Sequence, residues 1–208
     1  MGTFHDSHYG REGVFKKFWS FLKGDSWASL IVVLIIAFAL IRFLIFPGLS
    51  YVTGTPLPLV IVESCSMYHS QSMETILKND IYKNNNISFE EAKLWPFQRG
   101  LSKGDVIFVV GVKKENVKLG DVLIFSPNQD STSPHPIIHR AISLEPIATK
   151  GDHNSVQLTR DNNPYKTDET SINGEQIIGK AVFRIPFVGW AKLIFFEFTR
   201  QQSDRGLC

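Results

Sequence analysis

Three short segments carry side chains that could perform nucleophilic chemistry together. Ser66 closes the run Leu57-Pro58-Leu59-Val60-Ile61-Val62-Glu63-Ser64-Cys65-Ser66-Met67. A β-branched apolar run of this kind reads as a buried strand, so the serine hydroxyls stand at the end of a rigid element. His139 lies inside a second apolar run, Ile137-Ile138-His139-Arg140-Ala141-Ile142. Lys150-Gly151-Asp152-His153-Asn154 then offers a carboxylate in a tight turn. A serine hydroxyl needs a base to take its proton. Imidazole can serve near neutral pH. A carboxylate can fix the imidazole tautomer and stabilise the imidazolium. Taken singly, each residue has a plainer explanation. A strand histidine is usually structural, a Lys-Gly-Asp turn is usually a turn, and Met67 reads as packing beneath the serines.

The elements around these residues are legible from pattern. Trp27 to Phe46 is a twenty-residue apolar stretch whose one charge is Arg42. That is long enough to cross a bilayer. A buried core helix and a cleaved leader are the alternatives, but no small-residue cleavage site follows closely. Arg11, Lys16, Lys17 and Lys23 precede the stretch, while Pro47 to Val62 is uncharged. This asymmetry places the N-terminus in the cytoplasm and the main domain outside, with Arg42 snorkelling to the outer interface. Phe15, Phe18, Trp19 and Leu22 recur at helical spacing and suggest an interfacial turn leading into the span. Pro47-Gly48 is expected to end it.

Beyond the span, residues 70–103 read as a polar, irregular insertion with one short helix near Phe89 to Trp95. Gly104-Asp105 and Gly120-Asp121 each introduce a β run, and their spacing suggests that the two strands are neighbours. A last strand is expected over Ile177 to Ile185. Val188 to Phe198 is aromatic but too short and too charged to span, which fits an interfacial or docking helix. The chain has 208 residues, 16 Phe, 4 Trp and a net charge of +2, giving no case for nucleic-acid binding. Cys65 and Cys208 are far apart and are expected to form neither a disulfide framework nor a metal site, with Cys65 a small buried filler. His5, His8 and His135 read as solvent-exposed. Asn86-Ile87-Ser88 is a glycosylation sequon on an expected exposed loop.

The same segments, in the same order, resemble the boxes of the type I signal peptidases. Ser64-Cys65-Ser66-Met67 resembles the Ser-x-Ser-Met box. The His139 segment resembles the box holding the general base, which is a lysine in the bacterial branch and a histidine in the archaeal and endoplasmic-reticulum branch. Lys150 to Asn154 resembles that branch's Lys-Gly-Asp-Asn-Asn box. The two Gly-Asp strands and Ile177-Ile178-Gly179-Lys180-Ala181-Val182 resemble the remaining strands. The similarity covers roughly residues 28–195.

The resemblance implies a mainly β, partly open barrel-like domain behind one N-terminal transmembrane helix. The divisions expected are 1–26 as cytoplasmic lead, 27–46 as transmembrane helix, 47–195 as extracytoplasmic peptidase domain and 196–208 as C-terminal tail. It implies an archaeal-type, cell-membrane serine endopeptidase that removes signal peptides from exported preproteins. Preprotein signal peptides and the lipid bilayer are the expected partners, with the translocon a candidate third, and neither metal nor cofactor is implied. Ser66 would be the nucleophile and His139 the base. The Ser66 N–H and the Ser64 hydroxyl would form the oxyanion hole.

Two departures bear on the site. His69 stands where the family usually has proline, and it is a rival base close to the nucleophile. No acid follows the Lys-Gly-Asp box at the family's usual interval. Asp161 is nearest, with Asp168 and Glu169 further on. Asp152 is therefore the expected orienting acid and Asp161 the alternative. Rival functions are a non-catalytic anchored β-domain that binds exported segments, and a self-cleaving repressor peptidase. The latter would need a lysine base and a DNA-binding domain, and neither is visible.

Overall fold

An apolar helix runs without interruption from Trp27 to Thr53, 27 residues long, in the computed structural model, which describes residues 9–199 and 205–208. At about 1.5 Å per residue it measures about 40 Å, more than the hydrocarbon core of a bilayer. By length and composition it is a candidate membrane span. Helix α1 (Tyr9–Leu22) precedes it. Helix α2 (Trp27–Leu40) opens on Ser26, whose side chain accepts the Ser29 N–H at 3.1 Å. Pro47-Gly48 does not end the helix as expected. A single π-turn, Ile41–Ile45, widens the backbone and Phe46 N–H reaches back to the Ile41 carbonyl. Such a turn just ahead of a proline relieves the crowding that its ring imposes on the preceding turn. Helix α3 (Phe46–Thr53) continues beyond it. Residues up to Leu49 and from Ser50 onward form two separate compact units.

The second unit is built on one open, wholly antiparallel sheet. Its strands are β1 (Leu59–Ile61), β2 (Val106–Val110), β3 (Val122–Phe125), β4 (Ile137–Leu144), β5 (Ile147–Lys150) and β6 (Ile177–Ile185). Their spatial order is β1-β2-β6-β3-β4-β5. The two Gly-Asp strands, β2 and β3, are therefore not neighbours. Both pair antiparallel to β6, so they run parallel to each other with β6 between them. Two strands entered through the same turn in the same direction cannot form a hairpin, and an antiparallel strand fills the gap.

The Gly-Asp turns are alike in detail. Asp105 accepts the Ser102 N–H at 2.9 Å, and Asp121 accepts the Lys118 N–H at 3.0 Å. Gly104 and Gly120 supply the positive φ of these turns, 89° and 85°. Each is also covered by an indole, Trp190 over Gly104 and Trp95 over Gly120, where a Cβ would collide.

Strand alternation sorts the buried residues onto two faces. Register pairs Val122 with Arg140 and Leu123 with His139. It also pairs Arg140 with Lys150 and Ala141 with Thr149. One face therefore carries Val122, Ile124, Arg140, Ile142 and Lys150, and the other carries Leu123, Phe125, His139, Ala141 and Thr149. The first face packs Met67, Leu101, Ile107 and Val109 against Val122 and Ile124. Residues 70–103 are not irregular but fold into α4 (Met73–Ile76), α5 (Asp80–Asn84) and α6 (Phe89–Ala92). These short helices bury Met73, Tyr82, Ala92 and Trp95 against Ile142 and Ala148, which is why so polar a segment can be ordered. The second face packs Leu123, Phe125, Ala141 and Ile147 with Ile172.

Helix α7 (Trp190–Phe196) docks through Leu193 and Trp190, whose indole N–H donates to the Lys103 carbonyl at 3.0 Å. The buried Lys103 ammonium pairs with Glu197 at 2.7 Å. Phe187, Phe195, Phe196 and Phe198 remain exposed. The expectation that Cys65 and Cys208 stay apart is overturned. They form a disulfide across 143 positions, with Cα atoms 5.8 Å apart, inside the normal span for such a bond. Cys65 is accordingly half-buried rather than a core filler.

Candidate active site

Ser66 stands in the turn after β1. The strand's pairing ends with Val62, which exchanges hydrogen bonds with Asp105 and Gly104. The chain then turns, with Tyr68 N–H donating to the Cys65 carbonyl at 2.9 Å. Met67 is buried in the first core, and its carbonyl accepts the Leu101 N–H. Packing from Met67 thus fixes the turn from below and leaves Ser66 half-buried and Ser64 exposed. The two hydroxyl oxygens are 3.1 Å apart and hydrogen-bonded.

His139 is buried on β4, and its Nδ1 is hydrogen-bonded to the carboxylate of Glu169. Glu169 is fully buried beside β5. Its backbone is tied to Thr149 and Leu158. Its carboxylate also accepts the Thr149 hydroxyl at 3.0 Å and the Leu158 N–H at 2.7 Å. A carboxylate so placed accepts a proton donor from Nδ1, which leaves the Nε2 lone pair as the basic atom of the ring. Nε2 points at Gly151. A Cβ built on Gly151 would lie 2.8 Å from His139 Nε2 and 2.7 Å from the Ser66 carbonyl oxygen. The Ser66 carbonyl is held there by the His153 N–H at 2.9 Å. One small residue thus separates the serine turn from the imidazole.

Asp152 does not occupy the place expected of it against His139. Its oxygens receive two guanidinium nitrogens of Arg140, Nη2 at 2.7 Å and Nε at 2.9 Å. Parity explains this. Arg140 and Lys150 share one face of the sheet, and Asp152, two residues on from Lys150, continues that face. His139 and Thr149 look the other way. Burial alone would raise the Asp152 pKa, but Arg140 and His69 outweigh it and hold the carboxyl at about 2. Burial also opposes the Arg140 charge, and Asp152 more than restores it. Arg140 further donates to the carbonyls of Pro96, Phe97 and Gly120. Lys150 lies on this face too, its ammonium donating to the Gly151 carbonyl at 2.9 Å, and burial lowers its pKa. Burial raises the pKa of Tyr82, with Asp152 adding to the effect.

The other expected residues scatter. Asp161 is exposed in a surface turn. Asp168 accepts the Thr170 N–H and hydroxyl and lies 3.7 Å from Arg160. His69 is buried beside Asp152, remote in role from the Glu169 pair. His135 is exposed, and His5 and His8 lie outside the described residues. Asn86 is exposed and in the left-handed region, at φ 55°. Glu169, named in the sequence only as one of the acids further on, is the carboxylate that meets His139. Its one signal in the sequence is the second acid of the Asp168-Glu169 pair, which sits between Thr167 and Thr170 in a long polar loop. Among the described residues no group of three or more His, Cys, Asp or Glu side chains could hold a metal ion.

A mainly β domain following one apolar helix is the arrangement that the sequence resemblance implied. No family model matches the chain. It is similar to signal peptidase complex catalytic subunit SEC11C of Homo sapiens, 22% identical over 164 residues, covering 76% of this chain and 67% of the relative. It is also similar to signal peptidase complex catalytic subunit sec11 of Sclerotinia sclerotiorum, 28% identical over 173 residues, covering 78% of this chain and 80% of the relative. The counterpart in Fusarium vanettenii is 28% identical over 170 residues, covering 77% and 78%. The chain is a homologue of signal peptidase catalytic subunits. These relatives are eukaryotic and carry nothing for the archaeal part of the expectation.

Proposed function

We propose that this chain is a membrane-anchored serine endopeptidase that removes signal peptides from preproteins. One observation carries the reading at the level of chemistry. His139 has Nδ1 on a buried carboxylate and turns Nε2 toward the glycine against which the Ser66 turn is held. In the reaction, Ser66 Oγ attacks the scissile carbonyl while His139 Nε2 takes its proton. The Ser66 N–H and the Ser64 hydroxyl receive the developing oxyanion. His139 returns the proton to the leaving amine as the C–N bond breaks, leaving an acyl-enzyme. Water, deprotonated by His139, hydrolyses that ester and regenerates Ser66. Glu169 holds the imidazole in its tautomer and stabilises the imidazolium.

The remaining expectations fit this reading. Lys16, Lys17 and Lys23 ahead of the apolar helix support a cytoplasmic N-terminus. The Cys65–Cys208 disulfide supports an oxidising, extracytoplasmic setting for the second unit. The exposed phenylalanines of α7 suit the lipid interface, where cleavage sites emerge. The test is incubation of the detergent-solubilised chain with a preprotein. A shortened product is expected from the wild type and none from Ser66→Ala. Cleavage at the wild-type rate by Ser66→Ala would remove the serine mechanism.

A further inference from the structure

Behind the Ser66 turn lies a second histidine–carboxylate contact, which takes no part in the reaction above. His69 is 5% exposed, with Nδ1 2.8 Å from the Gln71 carbonyl oxygen and Nε2 3.5 Å from Asp152 Oδ2. Both ring nitrogens therefore face oxygen acceptors. A neutral imidazole has one N–H and one lone pair. If Nδ1 carries the proton, the Nε2 lone pair is buried against a carboxylate. If Nε2 carries it, the Nδ1 lone pair is pressed on a carbonyl. Only the imidazolium, with a proton on each nitrogen, suits both neighbours. At 3.5 Å the Nε2 contact is an ion pair rather than a hydrogen bond, so in the neutral ring this atom has no hydrogen-bond partner among the described residues.

The charged surroundings of His69 come from several elements. Asp152 follows β5 and is shared with Arg140 on β4. Tyr82 on α5 reaches the same carboxylate at 3.5 Å, and Lys150 on β5 stacks over the Tyr82 ring. Lys93 and Arg99 line the open cleft that His69 also borders. Burial and Arg140 oppose the imidazolium, while Asp152 and the Gln71 carbonyl favour it, and the balance raises the His69 pKa above its ordinary 6.5.

The consequence falls on Ser66. The turn Gly151 to His153 is tied to the serine segment twice, by His153 N–H to the Ser66 carbonyl and by Asp152 to His69. The same turn abuts the His139 ring. We propose that His69 is a positioning residue whose imidazolium, clamped between Gln71 and Asp152, holds the Ser66 turn in register with His139. It touches no reacting atom. As pH rises and the imidazolium loses its proton, one of the two ties is lost and the serine drifts from the base. This role rests on the peptidase reading above.

Two measurements separate the proposal from that reading. Histidine-selective NMR of full-length Ser66→Ala in detergent, with His69→Asn for assignment, reads the His69 midpoint without any catalysis. A midpoint above 6.5 is expected. In preprotein cleavage, wild-type kcat should fall on the alkaline side as pH passes that midpoint, with KM little changed. His69→Asn keeps a donor for the Gln71 carbonyl but not the charge. It should have kcat reduced by about 10- to 100-fold and no such alkaline limb, because small misplacements of a nucleophile are costly. A midpoint at or below the ordinary value overturns the proposal. So does an alkaline limb that survives in His69→Asn. Absence of cleavage by the wild type at every pH would instead remove the peptidase reading, and the positioning role with it, whatever the NMR midpoint.

Discussion

Glu169 and His139 meet across 30 positions of sequence, and their contact is buried on both sides. Glu169 reaches it because residues 167–170 run beside β5 rather than because of any turn near the histidine. The carboxylate is thus delivered from a loop, while the histidine is delivered from a strand.

Glu169→Ala should therefore lower kcat by about 100- to 10,000-fold, as loss of an orienting carboxylate does in comparable sites. Asp161→Ala should be close to wild type, since Asp161 stands in an exposed turn. Initial rates of preprotein shortening at a fixed pH decide this. If Asp161→Ala is crippled and Glu169→Ala is active, the assignment of the acid is wrong.

Asp152→Asn should weaken the fold as well as release the contact with His69. It leaves the Arg140 guanidinium, which is fully buried, without its counter-charge. Breaking one side of such a pair costs about 3–5 kcal/mol. The pH dependence has a definite sign. The folded-state pKa of Asp152 is depressed from 3.8 to about 2, so its contribution is complete above 3.8 and fades as pH falls toward 2. Denaturant titrations of both proteins between neutral pH and pH 2 should converge at the acid end. Curves that stay parallel would exclude this coupling.

Gly151→Ala tests the meeting of the serine turn and the imidazole. The added Cβ would come within 3 Å of both the Ser66 carbonyl and His139 Nε2, so one of them must move. A loss of kcat of about 100-fold is expected for an ångström-scale displacement. Unimpaired turnover would mean that the two groups need not share this glycine.

Cleaving the disulfide should weaken the fold. Closing a loop over 143 positions removes enough chain entropy to contribute up to about 5 kcal/mol. Cys208→Ser, or a dithiol reductant on the wild type, should lower the thermal midpoint. An identical midpoint with and without reductant would show that the bond does not form.

The sequence was most readable where local rules dominate. The β-branched runs announced β2, β3, β4 and β6, and the Gly-Asp pairs announced their turns. Proximity along the chain points to Asp152 beside His139, but parity through Arg140 and Lys150 sets it on the opposite face. Glu169 was hidden, since an acid in a polar loop looks solvated until the loop packs beside β5. The helices of residues 70–103 were hidden for a similar reason. They are too short to show periodicity, and Met73, Tyr82 and Trp95 become a core only against Ile142. The Cys65–Cys208 bond depends on where the last residues return, which no local pattern records.

The place of β6 sets an order of events during synthesis. This strand is the last to be made, yet it joins β2 on one side and β3 on the other. Until it arrives, the sheet exists as two halves, one leading to Ser66 and the other bearing His139. A nascent chain is therefore expected to show no peptidase activity before Ile185 has emerged and β6 can join β2 to β3. A chain stopped at Gln176 should show neither a protease-resistant domain nor peptidase activity, whereas one carried through Ile185 should begin to acquire both.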